Sequence, residues 1–193
     1  MGFIVVSGWN GHTAQAQSAD EEYRFEGCAS VGLNTDGVEW AIGVAWFPIP
    51  YFSFKVAIGL DSEIRELSSW GYDDEYSYGY DYDDYCARFQ FCPSIELRTP
   101  SLIYFCSQGF GIQLFASPGI IMSPRAAGSH SGEWLYWNMR GGLMTVINER
   151  CTLQLGYGYS SFNLYAGAPI SHWGYDEGHH NTHSIFVTFG YKF

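Results

Sequence analysis

Formal charge is scarce in this sequence, and positive charge is the scarcer kind. Asp, Glu, Lys and Arg make up 15 % of the 193 residues, against about 25 % in average soluble globular chains. Nine Lys and Arg stand against 20 Asp and Glu, which gives a formal net charge of −11. A chain of that sign repels phosphate backbones at long range, so no nucleic acid partner is expected.

Long apolar runs are missing as well. No segment approaches the ~20 consecutive apolar residues that a membrane-spanning helix needs. Hydrophobic residues nevertheless make up 47 % of the chain and aromatic residues 19 %, a content that disordered chains do not have. Together with 23 Gly, this composition predicts an ordered all-β protein.

The apolar residues recur in steps of two, which is the period of a β-strand. At the C-terminus, Ile185, Val187, Phe189, Tyr191 and Phe193 alternate mainly with small or polar residues. The same alternation predicts eight strands, each about as long as a tilted strand that crosses a bilayer, ~9–11 residues plus its ends. Their predicted ranges are 22–34, 37–47, 51–62, 85–98, 102–117, 133–147, 150–164 and 181–193.

The predicted connections alternate between short and long. The short ones are 47–50, 98–101 and 147–149, and the long polar ones are 63–84, 118–132 and 165–180. A tight hairpin is predicted at Asn34-Thr35-Asp36-Gly37. Short turns at one end and long loops at the other are typical of outer-membrane barrels, which have periplasmic turns and extracellular loops.

The two faces of the predicted strands differ in chemistry. One register carries bulky residues such as Trp40, Phe54 and Leu155, whereas the other is rich in small residues and carries the strand charges. Because an eight-stranded barrel has an interior just wide enough for side chains, the bulky register is predicted to face lipid. Buried charges need partners, so we predict a plugged lumen with a charge network of Arg24, Glu26, Glu39, Lys55, Arg88, Glu96, Arg140 and Arg150.

The predicted fold is therefore an all-β, eight-stranded, antiparallel, up-and-down transmembrane β-barrel. Small residues and paired charges are expected to fill its lumen. A soluble eight-stranded barrel, with the apolar register inside, is the alternative.

Two segments at the end of the chain carry a family resemblance. The segment His183-Ser-Ile-Phe-Val-Thr-Phe-Gly-Tyr-Lys-Phe193 resembles the last strand of Gram-negative outer-membrane barrels. The segment Leu153-Gln-Leu-Gly-Tyr-Gly-Tyr-Ser-Ser-Phe162 resembles the penultimate strand of the small outer-membrane β-barrel domain family common in Bacteroidetes.

This resemblance implies an eight-stranded barrel in the bacterial outer membrane. It also implies that the barrel-assembly machinery reads a C-terminal signal formed by Phe189, Tyr191 and Phe193. The family mostly lacks an assigned function, so the resemblance implies a location and a shape but no activity.

Residues 1–17 are predicted to be a truncated signal peptide, which leaves 18–193 as the outer-membrane barrel domain. Ala14-Gln15-Ala16 has the pattern of a signal-peptidase site, with small residues at its first and third positions. Cleavage is expected after Ala16, and an uncleaved leader is the alternative.

Two long loops contain residue types that bind metal ions. The segment 61–84 holds nine carboxylates interleaved with tyrosines, and carboxylate oxygens suit Ca²⁺ or Mg²⁺. Histidines in the last long loop suit a transition metal. The candidate ligands are Asp73, Asp74, Asp81, Asp83, His179 and His180. A solvated polar loop is the favoured interpretation of both segments, and an extracellular ligand is a further candidate partner of 61–84.

The sequence predicts a non-catalytic outer-membrane protein whose acidic, Tyr-rich loops bind or shield. Its expected partners are outer-membrane lipid and the barrel-assembly machinery, and we expect a monomer without a cofactor. A narrow channel for small solutes, a barrel enzyme acting on outer-membrane lipid and a soluble ligand-binding barrel stay open as alternatives. Disulfide pairing also stays open among the five cysteines, Cys28, Cys86, Cys92, Cys106 and Cys151.

Overall fold

The computed structural model describes residues 23–64, 87–105, 110–124, 134–164 and 181–193. Within these ranges the chain forms nine strands. They are β1 (Phe25–Asn34), β2 (Gly37–Ile49), β3 (Phe52–Glu63), β4 (Ala87–Arg98), β5 (Ile103–Phe105), β6 (Phe110–Met122), β7 (Leu135–Ile147), β8 (Cys151–Ser160) and β9 (Thr182–Lys192). No described segment is a helix with the length and apolarity of a membrane span.

The strands form one closed antiparallel sheet. Its order is β4-β3-β2-β1-β9-β8-β7-β6-β5, and an additional pairing of β4 with β6 closes the ring. The short β5 pairs only with the start of β6 in the described part of the chain. The molecule is therefore an eight-stranded all-antiparallel β-barrel, which confirms the predicted fold class.

The two ends of the barrel have different connections. At one end, called the turn end, residues 50–51 and 148–150 join neighbouring strands. Asn148 and Glu149 have φ values of 50° and 63°, as the two central residues of a type I′ turn do. At the opposite end, called the loop end, the Asn34 side chain accepts hydrogen bonds from the amides of Asp36 at 2.8 Å and Gly37 at 2.6 Å.

The fifth predicted strand is wrong in its boundaries. It was expected over 102–117, ending at Pro118, but β6 continues through Pro118 to Met122 and is separated from β5. Pro118 is tolerated because the pairing of β4 with β6 is sparse, with four ladder pairs that include neither Pro118 nor Pro93. A proline has no N–H to donate, so it fits where the ladder is already interrupted.

The outward register of the barrel carries no formal charge. Along the described strands, outward positions hold no Asp, Glu, Lys or Arg, and His183 is their one ionisable imidazole. Large apolar side chains cover this surface instead: Trp40 is 56 % exposed, Leu155 56 % and Phe189 53 %. The apolar register therefore faces outward, as the width of the interior predicts.

Aromatic side chains concentrate towards both ends of this surface. At the turn end, the Phe25 and Phe193 rings stack with centroids 6.2 Å apart. At the loop end, Trp137 and Tyr159 meet edge to face at 5.1 Å. Aromatic girdles that flank an aliphatic band are typical of membrane barrels, where the rings lie at headgroup level.

We predict that Leu155→Arg lowers the free energy of unfolding in bilayers by ~2–4 kcal/mol, because Leu155 lies midway along β8 on the outward face. Leu33→Arg, at the loop end of β1, is the matched control and should cost ~0–1 kcal/mol. Urea titration in vesicles measures both. Equal costs at the two positions would contradict the assigned depth.

Candidate functional site: the barrel interior

Charged side chains meet inside the barrel near the turn end. The Arg98 guanidinium lies 2.9 Å from Glu26 Oε2 and 2.6 Å from Glu96 Oε1. All three side chains are almost completely buried. The guanidinium also lies over the Phe47 ring, 4.4 Å from its centroid, so Arg98 joins two strands through one buried cation.

Further polar groups complete this cluster. Lys55 Nζ lies 3.6 Å from Glu96 Oε2, and Gln154 Nε2 donates to both Glu96 oxygens at 3.2 and 3.3 Å. Thr152 Oγ1 donates to Glu26 Oε1 at 2.9 Å. We call Glu26, Lys55, Glu96 and Arg98 the turn-end ion cluster. It comprises two cations and two carboxylates, so its formal charges balance, as buried charges require.

An apolar layer lies above this cluster. Phe115, Met144 and Phe186 are buried together inside the barrel. Gly156 makes room for them, because a Cβ at that position would lie 2.5 Å from Phe186 Cζ. The expectation of small and charged residues is therefore incomplete: three large apolar side chains also fill the interior.

A second set of charges lies towards the loop end. Glu39 on β2 and Asp61 on β3 are direct cross-strand partners. Arg140 reaches across to Glu39 Oε2 at 2.9 Å, and its guanidinium lies 4.9 Å from the Phe186 ring centroid. Asp61 accepts hydrogen bonds only from amides in the described part of the chain, from Asn34 Nδ2 at 3.0 and 2.9 Å and from Gln90 Nε2 at 3.3 Å.

Arg88 is buried inside the barrel towards the loop end. It donates to Tyr136 Oη at 3.2 Å, to the Asn163 carbonyl at 2.6 Å and to the Pro124 carbonyl at 3.3 Å. Its guanidinium also lies 5.2 Å from the Phe162 ring centroid. The segment 161–164 was expected to continue a strand, but β8 ends at Ser160. Phe162 and Leu164 instead pack inside with Ile121 and Tyr136.

Six of the eight residues of the predicted charge network lie inside the barrel. They are Glu26, Glu39, Lys55, Arg88, Glu96 and Arg140. Arg24 and Arg150 do not belong to it, since both are exposed. Each lies one residue before the start of its strand, where a side chain reaches solvent, and Arg150 Nε donates to Tyr23 Oη at 2.9 Å outside the lumen.

Three interior residues are absent from the predicted network. Arg98 falls both in the predicted strand 85–98 and in the predicted turn 98–101, and Asp61 falls both in the predicted strand 51–62 and in the acidic segment 61–84. Both share the inward parity of their strands, with Glu96 and Lys55 respectively, which is a signal that could have identified them. Gln154, on the inward register of β8, was overlooked because it carries no charge.

The remaining predicted sites are only partly described. Phe189, Tyr191 and Phe193 lie on the outer surface of β9 and its end. Cys28, Cys92 and Cys151 are free thiols. The metal candidates Asp73, Asp74, Asp81, Asp83, His179 and His180 lie outside the described residues, as do Cys86 and Cys106. Within those residues, no three His, Cys, Asp or Glu side chains gather as a metal site.

We predict that Arg98→Met lowers the free energy of unfolding by ~3–5 kcal/mol, because it leaves Glu26 and Glu96 buried without their cation. Lys55→Met is the matched control and should cost less, since the Lys55 side chain is 17 % exposed and its one ion pair is 3.6 Å long. Urea titration of the folded barrel measures both.

A rescue experiment separates charge from packing. Adding Glu96→Gln and Glu26→Gln to Arg98→Met should recover part of the loss, because no uncompensated carboxylate remains. Equal costs for the two single variants, with no recovery, would contradict the assigned role of Arg98.

Comparisons with known proteins show likeness of fold. No protein-family profile and no curated protein matches the sequence. Neisserial surface protein A superposes with a TM-score of 0.52 at 10 % identity, over 88 % of this chain and 96 % of its own. The outer membrane enzyme PagL superposes with a TM-score of 0.47 at 10 % identity, over 86 % of this chain and 98 % of its own. For the N-terminal β-barrel domain of Pseudomonas aeruginosa OprF, the TM-score is 0.46 at 12 % identity, over 86 % of this chain and 96 % of that domain. The chain thus shares the fold of Neisserial surface protein A.

Proposed function

We propose that this protein is a bacterial outer-membrane β-barrel with a closed interior, and that it acts at the cell surface through its loops without catalysis. The observation that carries the proposal is the outward register, which holds no Asp, Glu, Lys or Arg along the described strands. A continuous exposed apolar surface around a whole barrel needs a nonaqueous solvent. Lipid provides it, and a closed sheet leaves no unpaired edge in that lipid.

The closed interior argues against a wide pore. Three groups of side chains follow one another along the barrel axis. They are the turn-end ion cluster, the apolar layer of Phe115, Met144 and Phe186, and Arg88 with its partners towards the loop end. Eight strands leave little room beside such side chains. A protein of this shape therefore presents a surface at each end and carries no bulk flow of solute.

The loops are the remaining place for a surface function. The segment 61–84 combines nine carboxylates with tyrosines, a composition suited to a divalent cation, a basic partner or the shielding of the surface. Assembly by the barrel-assembly machinery through Phe189, Tyr191 and Phe193, and a monomeric state, belong to the same proposal.

Expression in a Gram-negative host tests the location. The protein should stay in the membrane pellet after alkaline carbonate extraction, and the folded form should migrate differently from the heated form in electrophoresis. A chain released by carbonate would be a soluble barrel, and the proposal would fail.

Planar bilayers test the closed interior. The wild-type protein should produce no steady ohmic current, because the turn-end ion cluster and the apolar layer of Phe115, Met144 and Phe186 block the axis. A general porin measured in parallel should conduct. Regular single-channel steps from the wild-type protein would identify a narrow channel and overturn this part of the proposal.

A further inference from the structure

We infer that the loop-end half of the barrel interior contains a binding site for one hard divalent cation. Its ligands are carboxylate and amide oxygens of Glu39, Asp61 and Asn138. This site lies within the barrel, where Asp61 belongs to β3, and it goes beyond the surface function proposed above.

Two carboxylates lie side by side at this position, and among the described residues only one of them has an ion pair. Glu39 and Asp61 are cross-strand partners on the inward face, and such partners have Cβ atoms about 4.5–5.5 Å apart. Arg140 pairs with Glu39. Asp61 has no cationic partner among the described residues, although it is almost completely buried. Among the described residues, Asp61 is therefore a buried carboxylate without an ion pair, and a buried charge without a partner is costly.

Arg88 could have neutralised Asp61, since the two are register partners on β3 and β4. Its guanidinium is instead turned to Tyr136 and to the carbonyls of Asn163 and Pro124. The amides of Asn34 and Gln90 that contact Asp61 orient the carboxylate but supply no charge. Within the part of the chain that the structure describes, a buried carboxylate is thus held in place without an ion pair.

Two further buried oxygens line the same region. Glu39 Oε1 and Asn138 Oδ1 have no hydrogen-bond partner among the described residues, and Asn138 is only 8 % exposed. Both side chains line the same cavity as Asp61. Orphaned acceptors of this kind call for a donor or a cation. Asn138 is independent of the carboxylate pair, because it lies on β7 across the barrel.

The cavity has the size and chemistry of a single-ion site. Its free volume is about 10 Å³, enough for one water-sized occupant. Hard oxygen ligands, namely carboxylates and an amide carbonyl, are those that Ca²⁺ and Mg²⁺ take. Arg140 also lines the cavity, but its charge is compensated by Glu39 and its guanidinium packs on Phe186.

Calcium titration of the full-length protein, folded in detergent micelles and freed of metal with EDTA, tests the inference. Calorimetry should show binding, and CaCl₂ should raise the thermal midpoint above that in NaCl of equal ionic strength, because the ion binds only the folded state. Asp61→Asn and Asn138→Leu should each weaken this binding about tenfold or more, the scale of disturbing a metal site.

Two controls separate this site from other acidic positions. Glu149→Gln changes an exposed carboxylate in the turn at the opposite end and should leave calcium binding unchanged. Asp73→Asn combined with Asp74→Asn removes candidate ligands of the acidic segment and should leave the interior binding phase intact.

Three results would overturn the inference. The first is a wild-type protein that neither binds calcium nor gains stability from it. The second is calcium binding that only the Asp73 and Asp74 substitutions abolish. The third is Asp61→Asn that stabilises the protein without calcium while the wild type shows no calcium response, which would indicate a proton held by the carboxylates. Asn138→Leu keeps the test decisive if Asp61→Asn does not fold.

Discussion

A closed sheet of eight strands has room inside for little more than the side chains of one register, and this limit governs the rest of the structure. Alternate residues of each strand point inward, so every strand commits half of its side chains to that space. A charged side chain on the inward register therefore contacts neighbouring side chains instead of bulk water. Glu39 and Arg140 meet in this way at 2.9 Å although they are 101 residues apart in sequence.

The ion pairs specify the register of the strands as well as balancing charge. A slip of one residue would turn every inward side chain outward. Arg140, midway along β7, would then face lipid, where an arginine at the midplane costs ~2–4 kcal/mol. The interior apolar layer contributes differently, because Phe186 fits only against glycine on the neighbouring strand. Charge thus determines which face is inside, and close packing determines which residues are opposite one another.

The alternation in the sequence was enough to predict the barrel, because a period of two survives local irregularity. The boundaries were harder. Pro118 was read as the end of a strand, yet the sparse ladder between β4 and β6 accommodates it. Phe186, an exception to the alternation, lies inside because Gly156 opposite it has no side chain. The pairing of the charges depends on strand order and tilt, which no local pattern contains. The same holds for Asp61, whose hydrogen-bond donors among the described residues are amides.

The orientation of the two registers is the central claim, and nuclear Overhauser contacts in lipid nanodiscs test it most directly. With protonated acyl chains, the methyl groups of Leu155 and Val187 should show contacts to lipid methylene protons. The side-chain amide of Gln154, adjacent in sequence and inward, should show none and should instead contact Met144. Lipid contacts from Gln154 with none from Leu155 would contradict the account.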